Sequence, residues 1–533
     1  DYSTSQEGVW WDPRQGDGES SNGVFQRSNL ERATLTTQSQ LYANHEFGKH
    51  QLSGVASFES ESFDQMNIYL WGTDFPTYLK YEISNAGNSS GSTSVDKTRM
   101  LSFLRKGDYS YDDRYILGAS ARWDGSSRLA PAHRWGLFWA LSGSWNIGKE
   151  NFMKELGPVL SDTRLRLSSG ATGTLPYNYY DNLSLYSFGY NYNGGTGTAE
   201  SALGSPNLSW EKNKAFNLGL DFRLFNQLGV TFDYYNRLTT DLLLDKNISG
   251  TTGFGSELQN VGSMRNTGFE LELRSTNLSL NNFSWSTTLS LGHNKNTLLR
   301  FDGVQNTLVE DTWVHEVGHP YNAYYLAEYA GVDPKTGKAQ YYSNAFKDGK
   351  YDRTLVTDGS QAERRRIDDK PFDPVLTGGL INNINWGPVD INFTLSYSLG
   401  GYLYDNAIAL YKDGNEEVLN LAIPSYYDIN KIWKKVGDKA ELPSFEPTNT
   451  YTYSTRFLRS TDHLRLKNFT IGFTAPKSWT KKAGINTLRI YASGNNLLTW
   501  KDKLLVVDPE QRGFVAYGTP PLRTVTFGLQ VGI

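Results

Sequence analysis

Between Pro206 and Arg274 the chain alternates apolar and polar residues with a period of two. Phe216, Leu218, Leu220 and Phe222 alternate with Asn217, Gly219 and Asp221, and Val230, Phe232 and Tyr234 alternate with Thr231, Asp233 and Tyr235. A period of two places each set on its own face of a strand, and the short Phe225 to Leu228 connection joins the two strands in a hairpin. A third strand sets Phe269, Leu271 and Leu273 against Glu270, Glu272 and Arg274. A row of charges along one face needs water.

The same period recurs at about fifteen places along the chain. The segments are 35–44, 52–59, 99–105, 115–124, 137–147, 163–172, 213–223, 228–236, 268–275, 283–292, 376–385, 389–399, 462–474, 487–496 and 523–533. Their connections alternate in length, apart from Gly125–Gly136 and Gly148–Asp162, whose lengths do not discriminate. Glu46–His50, Trp386–Pro388 and Ala475–Asn486 are short, while Glu59–Thr98, Asn294–Val375, Gly400–Thr461 and Leu497–Leu522 are long. Short turns on one side and long loops on the other are the mark of an outer-membrane barrel, with the long loops outside.

The final strand, 523–533, carries Val525, Phe527, Leu529, Val531 and Ile533 on one face, a stripe that needs lipid or a core. In 389–399 the only charge, Asp390, lies on the polar face. Charge on a lipid face costs roughly 2–4 kcal/mol near the midplane, so that placement is informative. With this polarity the C-terminus is expected in the periplasm and residues 1–34 in a surface loop. The first marked strand then runs inward, so at least one outward strand is expected ahead of Asp1.

Composition is compatible with this reading and removes several others. No apolar run reaches the roughly 18 residues of a membrane-spanning helix. The mean hydropathy of −0.52 is no argument for solubility, because spanning strands leave overall hydropathy low. A net charge of −4, from 52 Lys+Arg dispersed among 56 Asp+Glu, excludes a nucleic-acid partner. With no cysteine there is no disulfide, thiolate metal site or cysteine nucleophile. The aromatic share of 14%, with 33 Tyr and 14 Trp, suits interfacial girdles and sugar-binding surfaces alike. Asp1 to Gly23 is polar and Gly-rich and carries no signal peptide, so the start reads as a cut or a gap.

Candidate chemistry is sparse. His315, Glu316 and His319 satisfy HExxH, but that chemistry needs a helix presenting both histidines and a third ligand. Pro320 follows the second histidine and Tyr325 stands where an extended motif needs its third ligand, so the match is read as chance and no metal or cofactor is expected. Acidic pairs such as Asp112 with Asp113, Glu310 with Asp311 and Asp368 with Asp369 are read as solvated loop surface, so no catalytic residue is expected. The tyrosines Tyr177, Tyr179, Tyr180, Tyr190 and Tyr192, in an expected outer loop, are the candidate ligand contacts, since aromatic faces stack on sugar rings and peptide side chains.

Stretches along most of the chain resemble the C-terminal part of a SusC/RagA-type TonB-dependent transporter of the Bacteroidota outer membrane. They include Arg122–Glu150, Leu165–Thr174, Asn207–Phe222, Asp233–Leu244, Leu258–Leu271, Ala330–Tyr342, Leu464–Phe473, Leu488–Trp500 and the terminal RTVTFGL. Two positions depart from the family pattern: Ile533 stands where Phe is usual, and Ser168–Gly170 reads SSG rather than SYG. The resemblance implies an all-β transmembrane antiparallel barrel of about 22 strands, of which about fifteen lie in this chain, with the N-terminal plug, TonB box and first strands outside it. It implies TonB-coupled import of an oligomeric nutrient, glycan or peptide, across the outer membrane. The implied partners are a SusD-like surface lipoprotein lid and the TonB-ExbB-ExbD complex, with no chemistry on the substrate. A passive porin and a secreted β-rich glycan-binding protein are the alternatives.

Overall fold

The computed structural model describes residues 1–533 apart from 79–80, 302–306, 412–427, 445–452, 482–483 and 516–517. Among the described residues, sixteen strands join in one sheet. They are β1 (Tyr2–Trp11), β2 (Val24–Phe47), β3 (His50–Thr73), β4 (Asn88–Tyr111), β5 (Tyr115–Ser126), β6 (Trp135–Trp145), β7 (Leu160–Thr174) and β8 (Glu211–Leu224). The series continues with β9 (Leu228–Thr240), β10 (Ser263–Leu280), β11 (Phe283–Arg300), β12 (Leu376–Trp386), β13 (Val389–Leu399), β14 (His463–Thr474), β15 (Thr487–Lys501) and β16 (Thr524–Gly532). Sheet order follows chain order throughout. A meander of this kind satisfies each backbone polar group against the next strand and needs only turns and loops between strands. No helix is long and apolar enough to cross a membrane, which says nothing of crossing by strands.

The chain divides into two compact units: residues 1–144, 168–215 and 239–262, and residues 145–167, 216–238 and 263–533. In the first unit β2, β3 and β4 pair antiparallel along their whole length, from Val24 opposite Thr73 to Phe47 opposite His50, and from His50 opposite Tyr111 to Thr73 opposite Asn88. One face of β2–β6 carries exposed apolar side chains: Leu35 (69%), Leu41, Phe58, Phe103, Leu117, Trp123 and Leu137. Contiguous exposed apolar area on this scale belongs against lipid or protein. Aromatic groups bound the face at two levels. Phe47 stacks on His50 at 4.7 Å beside Tyr111, and further along the strands Phe58 meets Phe103 at 5.3 Å and Trp123 meets Trp135 at 4.9 Å.

In the second unit β10–β16 pair antiparallel in turn. The stripe Val525, Phe527 (81%), Leu529 and Val531 on β16 is exposed, as are Ile490 and Leu498 on β15. The opposite face is polar: Ser284, Ser286 and Ser290 on β11, Asn383 and Asn385 on β12, and Asp390, Asn392 and Ser396 on β13 fall at facing register positions. The described parts of segments 301–375, 400–462 and 502–523 are not open loops. They bury Tyr324, Leu326, Ile367, Tyr404, Ile408, Phe457 and Leu458 in one cluster, with Trp313, Phe372, Tyr402, Tyr453 and Phe514 packed on it. Arg465 of β14 is 2% exposed and ties this module to the sheet, donating to Asp508 at 2.6 Å and Glu510 at 3.0 Å.

Two expectations are corrected. Residues 1–34, read as a loop, contain β1, whose residues pair with β2 from Tyr2 opposite Ala33 to Trp11 opposite Val24, so the sheet has sixteen strands and not about fifteen. Its sequence YSTSQEGVWW has no apolar alternation, and main-chain pairing holds it. For the same reason β2 and β4 run far beyond the segments 35–44 and 99–105: their added residues are largely polar on both faces. In the first unit one charge stands on the apolar face. Arg105 stands opposite Ala56 and Ala121, on the face of Phe103 and Leu101, and is exposed there. It stands two residues from Phe103, close to one of the two aromatic levels, where an arginine on a lipid-facing band costs far less than at mid-height.

Candidate functional site

In the first unit a ladder of polar side chains crosses three strands at matched register, Arg32 on β2, Gln65 on β3 and Asp96 on β4. Arg32 Nε donates to Gln65 Oε1 at 2.8 Å, and Gln65 Nε2 donates to Asp96 Oδ2 at 3.4 Å. Residues 175–181 lie across this ladder and line a half-open cavity of ≈ 830 Å³, with Tyr177, Tyr179, Tyr180 and Asp181 among them and Arg128 beside them.

The segment is held from below. Asn182 donates to the Leu129 carbonyl at 3.2 Å, and Leu129, Ala130, Phe138, Leu208 and Trp210 form a buried cluster beneath it. The Lys97 amide donates to the Tyr180 hydroxyl at 2.9 Å. Tyr179 stacks on Phe63 at 5.8 Å, with the Arg128 guanidinium 4.5 Å from its ring centre. Such a contact orients both groups and contributes roughly 0.5–2 kcal/mol. Tyr177 is 94% exposed, and Asp181 Oδ2 is buried with no hydrogen-bond partner. The cavity therefore offers aromatic faces and the guanidinium groups of Arg32 and Arg128, a set suited to hydroxyl, amide and ring groups.

The sequence-predicted tyrosines divide. Tyr177, Tyr179 and Tyr180 come together around the cavity. Tyr190 is 54% exposed on a separate hairpin, Leu185–Tyr192 with Gly195–Ala202, and is not among the lining residues. The Tyr192 side chain lies outside the described residues. Arg128, Phe63 and the Arg32–Gln65–Asp96 ladder were missed by sequence reasoning, because they come from a turn and strands far off in the chain.

The HExxH residues sit on strand and turn. His315 lies in the strand Trp313–Glu316, 4% exposed, with its ring stacked on Tyr321 at 4.2 Å and Nε2 3.4 Å from Glu310. Glu316 pairs with Arg366, and His319 stands 3.9 Å from Asp368. The two histidines thus serve different partners. Among the described residues no group of three His, Cys, Asp or Glu is placed to hold a metal.

In the second unit the polar sheet face carries a three-strand ion cluster. Arg166 of β7 donates to Asp221 of β8 at 2.7 and 2.9 Å and to Asp233 of β9 at 2.9 and 2.9 Å. The guanidinium occupies the space over Gly219, where an added Cβ would stand 2.5 Å from Cζ, so a larger residue there would displace the arginine from this position. In the loop module Glu328 accepts from Arg365 at 2.5 Å and pairs with Arg353. Burial opposes its ionisation, but the two arginines win and hold its carboxyl below the ordinary value. Asp373 goes the other way: burial pushes it up, opposed by Arg512 at 3.3 Å.

The comparisons with known proteins agree on one family. A sequence model of the family described as TonB dependent receptor-like, beta-barrel, matches residues 1–497. TonB-dependent receptor P3 of Formosa agariphila is 28% identical over 538 residues, covering 94% of this chain and 52% of that protein. TonB-dependent receptor SusC of Bacteroides thetaiotaomicron is 28% identical over 466 residues, covering 82% of this chain and 44% of its own length. Among solved structures, the RagAB peptide transporter superposes with a TM-score of 0.87 at 25% identity, over 99% of this chain and 59% of that one. The chain thus spans about half the length of the curated relatives it matches.

Proposed function

The chain belongs to the TonB-dependent receptor β-barrel family, in its SusC/RagA type, and from that premise we propose that it is the barrel portion of an outer-membrane nutrient importer. The observation that carries the reading is the two-faced sheet, exposed and apolar on one face and polar on the other, joined to ordered modules at its long loops. The cargo class is an oligomeric nutrient, glycan or peptide, first met at Tyr177, Tyr179 and Tyr180. Ring faces beside Arg32 and Arg128 suit either cargo.

In this reading a SusD-like surface lipoprotein docks on the loop modules as a lid, and the C-terminus lies in the periplasm. A plug segment outside this sequence receives energy from the TonB-ExbB-ExbD complex. The protein does no chemistry on its cargo. Its part is to bind, orient and provide a polar wall for passage.

The test is uptake by cells carrying the full-length protein, using fluorescent oligopeptide and oligosaccharide pools, with mass spectrometry of whatever co-purifies from detergent-solubilised outer membranes. Accumulation of one pool that an uncoupler abolishes, with a lipoprotein in near-equal amount, is the expected result. Uptake indifferent to the uncoupler would make the protein a passive pore and overturn energy coupling.

A further inference from the structure

β4 outruns its neighbour. β5 ends at Ser126, opposite Met100, whereas β4 continues to Asn88 and is paired there with β3 alone among the described residues. Successive residues of an antiparallel strand turn their N–H and C=O groups to opposite sides. The side away from β3 is fixed by two contacts: the Arg99 amide donates to Ser127 Oγ at 3.0 Å, and the Lys97 amide to the Tyr180 hydroxyl at 2.9 Å. By alternation the N–H and C=O groups of Ser89, Gly91, Thr93 and Val95 turn to that same side. Among the described residues no strand pairs with them there, and all four residues are exposed.

An open edge of this kind is a template for another strand, and proteins usually blunt one with proline, charge or a bulge. Asn88–Val95 reads NSSGSTSV, without proline or charge, and its register with β3 has no shift. The small side chains leave the main chain open to approach. The edge also leads to the candidate site: Tyr180 closes one end of it at Lys97, and Asp96, between Val95 and Lys97, is the last rung of the ladder beneath the cavity. Paired donors and acceptors recur along the edge at every second residue, about 6.6 Å. An extended peptide carries the complementary row at that repeat, and a sugar chain does not.

We infer that the open edge of β4, from Ser89 to Val95, binds a peptide cargo in extended conformation by strand addition, with the end of the peptide nearest Lys97 meeting Tyr180 and the cavity. In this mode main-chain hydrogen bonds supply the affinity, so peptides of many sequences are accepted. About seven peptide residues cover the edge, roughly 20 Å at about 3.3 Å per residue. The inference rests on the import reading above and narrows its cargo to peptides.

Fluorescence anisotropy of the full-length protein in a neutral detergent tests it, with a labelled octapeptide of alternating threonine and valine as probe. N-methylation at alternate residues leaves the peptide one intact edge and should keep the affinity within about threefold, whereas N-methylation throughout should lower it at least about tenfold. In the protein, Thr93→Pro removes an N–H from the open edge without touching the pairing to β3, a place where a strand tolerates proline, and should weaken binding about tenfold. Thr93→Val keeps the main chain and should bind as the wild type does. Each variant is first checked for wild-type heat-modifiable migration, so that loss of peptide is not loss of fold. A wild type that ignores the probe, equal binding of the fully methylated peptide, or undiminished affinity in Thr93→Pro would overturn the site. So would a dimer or a bound lipoprotein that Thr93→Pro releases, since the edge would then serve another chain. Energised uptake of oligosaccharides that Thr93→Pro leaves unchanged would remove the peptide edge and leave import standing. Absence of any energised uptake by the wild type would be the separate failure of the import reading.

Discussion

Within the second unit, side chains of one kind are put to opposite use. Phe527 and Leu529 on β16 are left exposed, whereas Phe457, Tyr324 and Tyr404 in the loop module are wholly buried. The module behaves as a small water-soluble domain, in which burial removes apolar surface from water. The strand face inverts that rule, and its apolar residues stabilise the protein only when lipid replaces water around them. A single chain therefore holds two solvents' worth of folding logic, separated along each strand and loop rather than by a domain boundary.

Substitutions sharpen this contrast, and the largest effect belongs to the module. Phe457→Ala opens a cavity in a closed cluster and should cost about 3–5 kcal/mol of module stability, read as early proteolysis of the loops with the sheet's heat-modifiable migration intact. On β16, Leu529→Arg should impair membrane insertion by about 2–4 kcal/mol, while Gln530→Arg on the neighbouring face should be nearly neutral. Equal effects at both positions would remove the distinction between faces.

Arg166→Met comes next. It strips two carboxylates of their shared partner, but the cluster is about a third exposed, so screening holds the expected loss to about 1 kcal/mol by chemical denaturation. The smallest effect is one of pH. The carboxyl of Glu328 is held below its ordinary value, so its contribution is complete above the unfolded value of about 4.3 and is lost as pH falls through the folded one. Hydrogen exchange in Ala327–Tyr342 should rise below about pH 4.3, and Glu328→Gln should remove that acid-dependent step.

What the sequence discloses follows the same contrast. β8, β9, β13 and β16 are legible because lipid on one side and polar groups on the other impose a strict period of two. β1 and the polar halves of β2 and β4 are not, since backbone pairing holds them whatever the side chains. The long loops are legible as long but not as folded: Tyr324, Tyr404 and Phe457 meet from segments far apart, and no local pattern announces such a cluster. At the candidate site, Tyr177, Tyr179 and Tyr180 stand out as a local concentration of rings. Arg128 and the Arg32–Gln65–Asp96 ladder become visible only once strand register is known. Arg105 shows the limit of patterning from the other side, because a single charge does not disturb a period that many apolar residues maintain.

The most direct test of the two-faced sheet uses the fact that these 533 residues contain no cysteine. Single cysteines placed in turn from Val525 to Val531 in the full-length protein, spin-labelled in lipid bilayers, report contact with dissolved oxygen or with a polar nickel complex. The account predicts strict alternation, oxygen favoured at Val525, Phe527, Leu529 and Val531, and the reverse at Thr526, Gly528 and Gln530. A uniform profile, or polar access at Phe527 and Leu529, would show that the exposed apolar face does not meet lipid and would contradict the membrane reading.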